Sequence, residues 1–347
     1  MSSANLCCRC VCQCTSLHVI GCFQFRRVLS GIYLCPIRSL TNSQMGLTKY
    51  LLLGVVVGYV GFLLVDRFDP ASINGKRVVI TGASTGIGEQ IAYQYARLGA
   101  RVLITARRGV VLQQVVSKCK ELGAQEAFYL ALDMSKENDT RRLIDEAKAR
   151  FGGLDHLILN HVAYSSMSVW SGGLAKLRSS MDVNFHAYVS LATFATPMLA
   201  ESKGSIGIVS SGAGKVSLLF ATNYCPAKFA LHGFFDTLRQ EFQLQNIEVS
   251  VTMFVLGAIS TQNAIDSVKG MVRTNAYVTM PSETAYRIMT GTANREREVY
   301  YPLHQTLLVL LLRDSAPRLL EALMQVMVKP EAREELLKNP NPLLKKD

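Results

Sequence analysis

Tryptophan occurs once in 347 residues, proline ten times, and only 18% of the chain is charged. So few charges against 49% hydrophobic residues exclude a disordered chain and leave enough apolar side chain for a large packed core. Cysteine is missing where a body would need it. Seven of the nine (Cys7, Cys8, Cys10, Cys12, Cys14, Cys22 and Cys35) lie in the first 35 residues, leaving Cys119 and Cys225 for the rest, so a disulfide-built body is excluded. Acid is absent from residues 1–49, which carry Arg9, Arg26, Arg27, Arg38 and Lys49; this tail supplies nearly half of the net charge of +11. The remainder is spread thinly, with no dense basic patch and interleaved aromatics, and no nucleic-acid partner is expected. The cluster CCRCVCQC has no neighbouring histidine and lacks the two-residue gaps of zinc sites, so no metal is expected either. Palmitoylation and a chemically silent extension both remain open for it.

One apolar run stands out. Tyr50–Val65 holds 16 uncharged residues between Lys49 and the charges Asp66, Arg67 and Asp69. As a helix it falls slightly short of a hydrocarbon core of roughly 30 Å, a gap that Lys49 and Arg67 can close by snorkelling. The expectation is an uncleaved signal-anchor in the endoplasmic reticulum membrane. Positive charge ahead of the run places residues 1–49 on the cytosolic side and the body in the lumen. A cleaved segment and a secreted body is the alternative. Met45, just before the run, is a candidate alternative start, and Asn138-Asp139-Thr140 is a sequon compatible with a lumenal body.

From Asn74 short apolar runs alternate with helix-length segments. Arg77–Ile80, Arg101–Thr105, Ala127–Leu130, His156–Leu159, Ser205–Val209, Val249–Val255 and Val299–Tyr301 read as strands, with helices such as Glu89–Leu98 and Ser135–Phe151 between them. Continuous apolar strands alternating with helices predict a doubly wound, Rossmann-type parallel sheet, an α/β fold, as one domain over residues 74–301. Residues 302–347 form a C-terminal extension. There Leu319, Leu320, Leu323, Met324, Met327 and Val328 share one helix face, which either packs on the domain or a second subunit or lies on a membrane.

Two constellations carry chemistry. Thr81-Gly82-Ala83-Ser84-Thr85-Gly86-Ile87-Gly88 follows the first strand and opens a helix. Glycines let the backbone turn tightly and approach a pyrophosphate, and the helix N-terminus offers free N–H groups. Gly82, Ser84, Thr85, Gly86, Ile87 and Gly88 are therefore dinucleotide-binding candidates. About twenty residues on, the second strand ends in Arg107-Arg108 rather than an acid, which favours the 2′-phosphate of NADP(H) over the bare ribose of NAD. Asp133 and Met134, at the end of the third strand, are candidates to flank the adenine; Asp133 reads equally well as a helix cap. In the second constellation Ser211 ends a strand, and Tyr224 and Lys228 share a helix face one turn apart. An ammonium beside a phenol favours phenolate and suits the phenol to proton transfer near neutral pH, while a serine hydroxyl can hold the reacting oxygen.

TGASTGIG, NHV at 160–162, Asn184, Ser211, YCPAK at 224–228 and LGAIST at 256–261 together resemble the short-chain dehydrogenase/reductase family. Within it, GGLDHLILNHV, VSSGAGKV and KFALHGFFDTLRQEF are most similar to the 11β-hydroxysteroid dehydrogenase type 1 and type 1-like group. The resemblance implies that Tyr224 is the general acid/base, that Lys228 holds the nicotinamide ribose, that Ser211 orients the substrate oxygen and that Asn184 completes a proton relay through water. It adds Asn160, His161, Val162, Ile259 and Thr261 as cofactor contacts, with His161 packed rather than catalytic. Thr85 stands where many NADP users carry a basic residue, and Leu218 where the steroid enzyme carries a tyrosine.

The activity these residues imply is NADP(H)-dependent interconversion of a secondary alcohol and a ketone on an apolar small molecule, a hydroxysteroid foremost. Leu218 and Phe220 join Ser211 and Tyr224 as substrate contacts, and a homodimer is expected. Two alternatives differ in testable ways: a carbonyl reductase for retinoid, lipid or xenobiotic substrates, and a non-catalytic NADP(H) sensor or scaffold.

Overall fold

Alternation at period two decides how the first strand is used: Val78 and Ile80 face one way and Val79 the other, and all three are fully buried. A strand apolar on both faces belongs in the middle of a covered sheet. The computed structural model describes residues 50, 54–55, 68–163, 168–268, 271, 279–338 and 343. The anchor expected at Tyr50–Val65 and the extension 1–49 lie outside the described residues, except Tyr50, Gly54 and Val55, which are helical. Among the described residues no helix is long and apolar enough to cross a membrane. Contacts divide the chain after Asp66, and the unit Arg67–Asp347 carries the sheet.

Seven strands form it: β1 (Arg77–Thr81), β2 (Arg101–Ala106), β3 (Glu126–Ala131), β4 (His156–Leu159), β5 (Ser205–Val209), β6 (Ser250–Leu256) and β7 (Glu298–Tyr301). Each lies within one residue of its predicted bounds. All pair in parallel in the order β3-β2-β1-β4-β5-β6-β7. On one face, α1 (Gly86–Arg97), α2 (Gly109–Glu121) and a later helix, Pro281–Ala293, bury Ile91, Tyr95, Leu112 and Ile288 against Val78, Ile80 and Phe254. On the other, α3 (Glu137–Phe151), a helix over Ala187–Glu201 and another over Cys225–Leu244 bury Leu143, Tyr188, Leu191 and Phe235 against Val79, Leu157 and Ile206. In chain order the remaining helices are α4 (Leu174–Met181), α5 (Ala187–Glu201), α6 (Cys225–Leu244), α7 (Gln262–Val268), α8 (Pro281–Ala293), α9 (Leu303–Ser315), α10 (Pro317–Val326) and α11 (Pro330–Lys338). A π-helical turn, Asp182–His186, joins α4 to α5.

The strand order reverses between β1 and β4, where crossovers leave in opposite directions and open a cleft at the carboxyl ends. The opposite end of the same seam is closed by Asp155. Its carboxylate accepts from Arg77 N (2.9 Å), Arg77 Nε (2.8 Å) and Arg77 Nη2 (3.2 Å), and its backbone pairs with Arg77 and Ser205. Burial pushes this carboxyl up, but the Arg77 hydrogen bonds and the charges of Arg77 and Lys76 outweigh it, and the net shift is downward. A carboxyl held below its ordinary value stabilises the fold above that value and loses the contribution as pH falls through the folded one. Asp155→Ala should therefore lower the unfolding free energy by about 2 kcal/mol at pH 7 in denaturant titrations, because it strands Arg77, and by progressively less in acid.

Candidate active site

Six strand ends meet the cleft. Residues at or just beyond the carboxyl ends of β1, β2, β3, β4 and β5 line a cavity of about 1190 Å³, with Leu256 at the end of β6 and the segment after it closing one side. Gly82 turns the chain out of β1 at φ +66°, and a Cβ there would lie 2.6 Å from the His161 backbone. Gly88 sits behind the wall, where a Cβ would collide with the Gly82 carbonyl; its bareness lets α1 lie directly on the turn. The N-terminus of α1 consequently opens on the cavity through Gly86 and Ile87, with Ser84 and Thr85 beside it. No side chain caps this helix end. The Thr85 hydroxyl instead accepts from Arg108 Nη2 (3.3 Å), which also donates to Ser84 Oγ (3.1 Å).

Arg107 and Arg108 both line the cavity, and among the described residues neither lies within ion-pair distance of a carboxylate. Asp133 and Met134 line it as well. Asp133 also bonds locally: its carboxylate accepts from Ser135 N (3.1 Å), and this bond, with the positive charge of Arg107, holds its carboxyl below the ordinary range against burial. This bond closes a local turn and does not cap a helix: the N-cap residue of α3 is Lys136, and no side chain caps that end.

At the seam, the Thr81 hydroxyl accepts from Asn160 N (2.9 Å) and His161 N (3.2 Å) and lies 2.8 Å from His161 Nδ1. The Asn160 amide donates to the carbonyls of Thr81 (3.1 Å) and Gly82 (3.2 Å). His161 is buried, and burial followed by the charge of Lys228 pushes its imidazole down to about 3, so it is neutral. Its Nε2 donates to the carbonyl of Val183 in the π-helical turn (3.0 Å). That turn presents Asn184, whose Oδ1 accepts from Ala163 N (3.0 Å) and whose Nδ2 donates to Ala163 O (3.1 Å) and Ser180 Oγ (3.0 Å).

Ser211 follows β5 in extended backbone (φ −151°) and caps a short turn, Gly212–Gly214; its Oγ accepts from Ala213 N (3.2 Å), which leaves its own proton free. Tyr224 precedes α6, with Pro226 in the first turn where its missing N–H costs no helical bond. One turn on, Lys228 is buried with its Nζ donating to Val209 O (3.0 Å) and lying 5.2 Å from the Tyr188 ring centre and 5.6 Å from that of Tyr224. Burial pushes its ammonium down to about 7. Ser211, Tyr224 and Lys228 all line the cavity.

Residues 76–271 match the profile of the short chain dehydrogenase family. The chain belongs to that family. Relatives include the hydroxysteroid 11-beta-dehydrogenase 1-like proteins of Xenopus tropicalis (44% identical over 248 residues, 72% of this chain and 86% of the relative) and Danio rerio (44% over 279 residues, 80% and 96%). That of Gallus gallus is 44% identical over 249 residues, 72% of this chain and 86% of its own length. Among solved structures, an NADH-dependent reductase, A1-R', responsible for alginate metabolism, superposes with a TM-score of 0.58 at 22% identity. It covers 66% of this chain and 96% of its own, a likeness of fold.

As a short chain dehydrogenase, the chain brings most of the predicted residues to one cavity: Asn160, His161, Val162, Ile259 and Thr261 line it together with the glycine turn and Leu218. Three do not reach the wall. Gly88 lies behind it. Asn184 is fully buried, with both amide protons taken by Ala163 O and Ser180 Oγ. Phe220, expected at the substrate, is displaced because the chain reverses there with φ +65° and its carbonyl accepts from Ser168 N (3.0 Å); Leu218 and Leu219 take the wall instead. Missed by sequence reasoning were Ser210, Val183 and the contribution of Met324, Met327 and Val328, which reach the cavity from the C-terminal helices. Their helical spacing was visible, but what they cover was not.

Lys228 generates a pH test. Its folded value lies below the ordinary 10.5, so between about 7 and 10.5 the unfolded chain binds a proton that the native chain does not. Stability must rise with pH across that window. Compared with Lys228→Met, the cofactor-free native protein should gain more than about 1 kcal/mol of unfolding free energy from pH 7 to pH 10. Equal slopes in denaturant titrations of the two would remove the buried ammonium from the account.

Proposed function

We propose that this short chain dehydrogenase interconverts a secondary alcohol and a ketone on an apolar substrate, a hydroxysteroid foremost, with NADP(H). The observation that carries the reading is one cavity lined by the glycine turn, by two arginines without carboxylate partners, and by Ser211, Tyr224 and Lys228. The residues fit a dinucleotide. Gly82 lines the cavity with bare backbone, Gly88 lets α1 lie directly on that turn, α1 presents uncapped N–H groups, and Lys228 is a buried cation whose charge a ligand's polar groups would sustain. Arg107 and Arg108 would face the adenosine end, where a 2′-phosphate satisfies guanidinium groups that lack carboxylate partners. The bound nicotinamide supplies or accepts the hydride.

What the chain itself does is hold an oxygen and move a proton. Ser211 directs its free proton at the substrate oxygen. Tyr224 gives its phenolic proton to that oxygen as the ketone is reduced and takes it back in the reverse direction. Lys228, beneath the Tyr224 ring, favours the phenolate and so lowers the cost of each transfer. Val162, Leu218, Leu219, Met324, Met327 and Val328 supply an apolar wall that excludes water from the reacting carbon. The relatives' name points to a steroid. Leu218 favours the second reading, a carbonyl reductase for retinoid, lipid or xenobiotic substrates, because it offers no hydrogen bond to a distant steroid oxygen.

Turnover of the purified protein with NADPH and NADP⁺ on 11-oxo and 11-hydroxy steroids, beside non-steroid carbonyls, separates the readings; activity on the second set alone establishes the carbonyl reductase. In the same assay Tyr224→Phe should lose at least roughly a hundredfold in kcat while NADPH affinity stays within twofold. If the native protein binds NADPH and turns over nothing, it is a sensor. Arg107→Asp should lower the NADP/NAD preference in kcat/KM by at least tenfold, about 1.4 kcal/mol of discrimination; an unchanged ratio would make the arginine a bystander.

A further inference from the structure

Behind Ser211 lies a buried polar chain that the proposed reaction does not use. Ser210, the residue before Ser211, lines the cavity and is tied to β6 through Ser210 N donating to Phe254 O (2.8 Å). Its Oγ lies 3.0 Å from His232 Nε2. His232 stands one turn after Lys228 on α6, buried, and its Nδ1 makes no hydrogen bond. The Nδ1 faces Glu298 Oε1 at 3.6 Å. Glu298 is fixed in turn by Lys215 Nζ (2.7 Å) and by the Tyr300 hydroxyl (2.9 Å), and Arg313 Nη1 donates to Lys215 O (3.1 Å). A Cβ on Gly214 would lie 2.8 Å from His232 Cδ2 and 2.7 Å from Lys228 O, so the turn carrying Ser211 rests directly on this ring.

The tautomer of His232 follows from its neighbours. Burial, then the charge of Lys215, push the imidazole down to about 4, with Glu298 and Asp236 opposing and Lys228 adding, so the ring is neutral. A neutral ring with its proton on Nε2 would aim the Nδ1 lone pair at the Glu298 carboxylate. With the proton on Nδ1 the N–H dipole meets the carboxylate instead, and Nε2 becomes an acceptor. The Ser210 hydroxyl must then donate to His232.

We infer that His232, whose Nδ1 faces the Glu298 carboxylate, is a positioning residue that takes the Ser210 proton in a hydrogen bond, leaves Ser210 a hydrogen-bond acceptor beside Ser211, and seats the Ser211 turn. This rests on the oxidoreductase reading above. Two adjacent serines thereby acquire opposite polarity: the Ser210 proton is committed to His232, whereas Ser211 accepts from Ala213 N and keeps its proton for the cavity. A carbonyl oxygen finds its donors at Ser211 and Tyr224 and is turned away from Ser210, which fixes where the reacting carbon sits.

Two measurements on the full chain test this. In ¹⁵N-histidine spectra, with His232 identified by its absence in H232Q, the ring should be neutral and protonated at Nδ1; a proton at Nε2, or a charged ring at pH 7, overturns the inference. In turnover, Ser210→Ala and His232→Leu should each lower kcat roughly tenfold, the scale of one well-placed hydrogen bond, with NADPH affinity unchanged. The double variant should be no worse than either alone. His232→Gln, which offers an acceptor to Ser210 and a donor to Glu298, should restore most of the loss. A role in packing alone would be met by leucine as well as by glutamine, so equal activity of H232L and H232Q overturns the inference, as does full turnover by S210A should H232L fail to fold. The spectra need no turnover, so inactivity of the native chain on every carbonyl would sink the oxidoreductase reading while the tautomer is decided separately.

Discussion

The Thr81 hydroxyl is the point on which the site depends. It lies where the sheet splits between β1 and β4, and it accepts the first two backbone N–H groups beyond β4. Those groups leave the ladder just as the strands part, and a buried N–H without a partner carries a cost of about 1–3 kcal/mol. One side chain settles both and thereby fixes the exit path of Asn160 and His161. From there the order propagates. Asn160 pins the glycine turn, His161 reaches the π-helical turn through Val183, and Tyr188 donates to His161 O (2.6 Å) from α5. A threonine at the end of a strand sets the spacing between the cradle and the turn that bears Asn184.

Against this satisfied seam stands a group that is poorly satisfied. Lys228 is buried with one carbonyl as hydrogen-bond acceptor and two aromatic faces nearby, and no ion pair with it exists among the described residues. A buried cation in such surroundings is a cost to folding that hydrophobic side chains of the same size would not incur. Residues that oppose stability and line a cavity are the ones a binding site needs, because the ligand completes the coordination the fold withholds. Arg107 and Arg108 differ: they line the same cavity but are exposed, so water meets their charge and they carry no such cost.

What was legible in the sequence followed local rules. All seven strands could be placed because runs such as RVVI and HLIL are apolar at every position after the first, and the glycine turn because its spacing between a strand and a helix leaves few other uses. Tyr224 and Lys228 were legible for the same reason, one helix turn apart. Contacts across long stretches were not. The Asn184 amide is spent on Ala163, 21 residues away, and nothing local announces that partner or the π-helical turn that makes it reachable. Phe220 failed for a local reason of another kind. An aromatic residue rarely takes positive φ, and apolar character alone gives no sign of the turn that Phe220 makes. His232 lies on the same helix face as the tyrosine and lysine, yet its meaning depends on Glu298 at the far end of the sheet.

The division of the cavity wall has a consequence for specificity. In the proposed reaction the donors for the reacting oxygen are Ser211 and Tyr224, while Leu218, Leu219, Met324 and Met327 line the same cavity with apolar surface. Apolar contacts discriminate weakly, by roughly 1–3 kcal/mol for a methylene, whereas a site that must pair a polar group rejects analogues lacking it far more strongly. Methionine adds to this tolerance, since its unbranched side chain repacks around different shapes. On the proposed reaction the chemistry would therefore be selective for where an oxygen sits, and the wall permissive about what carries it. Met324 and Met327 come from or follow α10, whose outer face leaves Leu319, Leu323 and Val326 exposed, so this part of the apolar wall rests on an element outside the sheet.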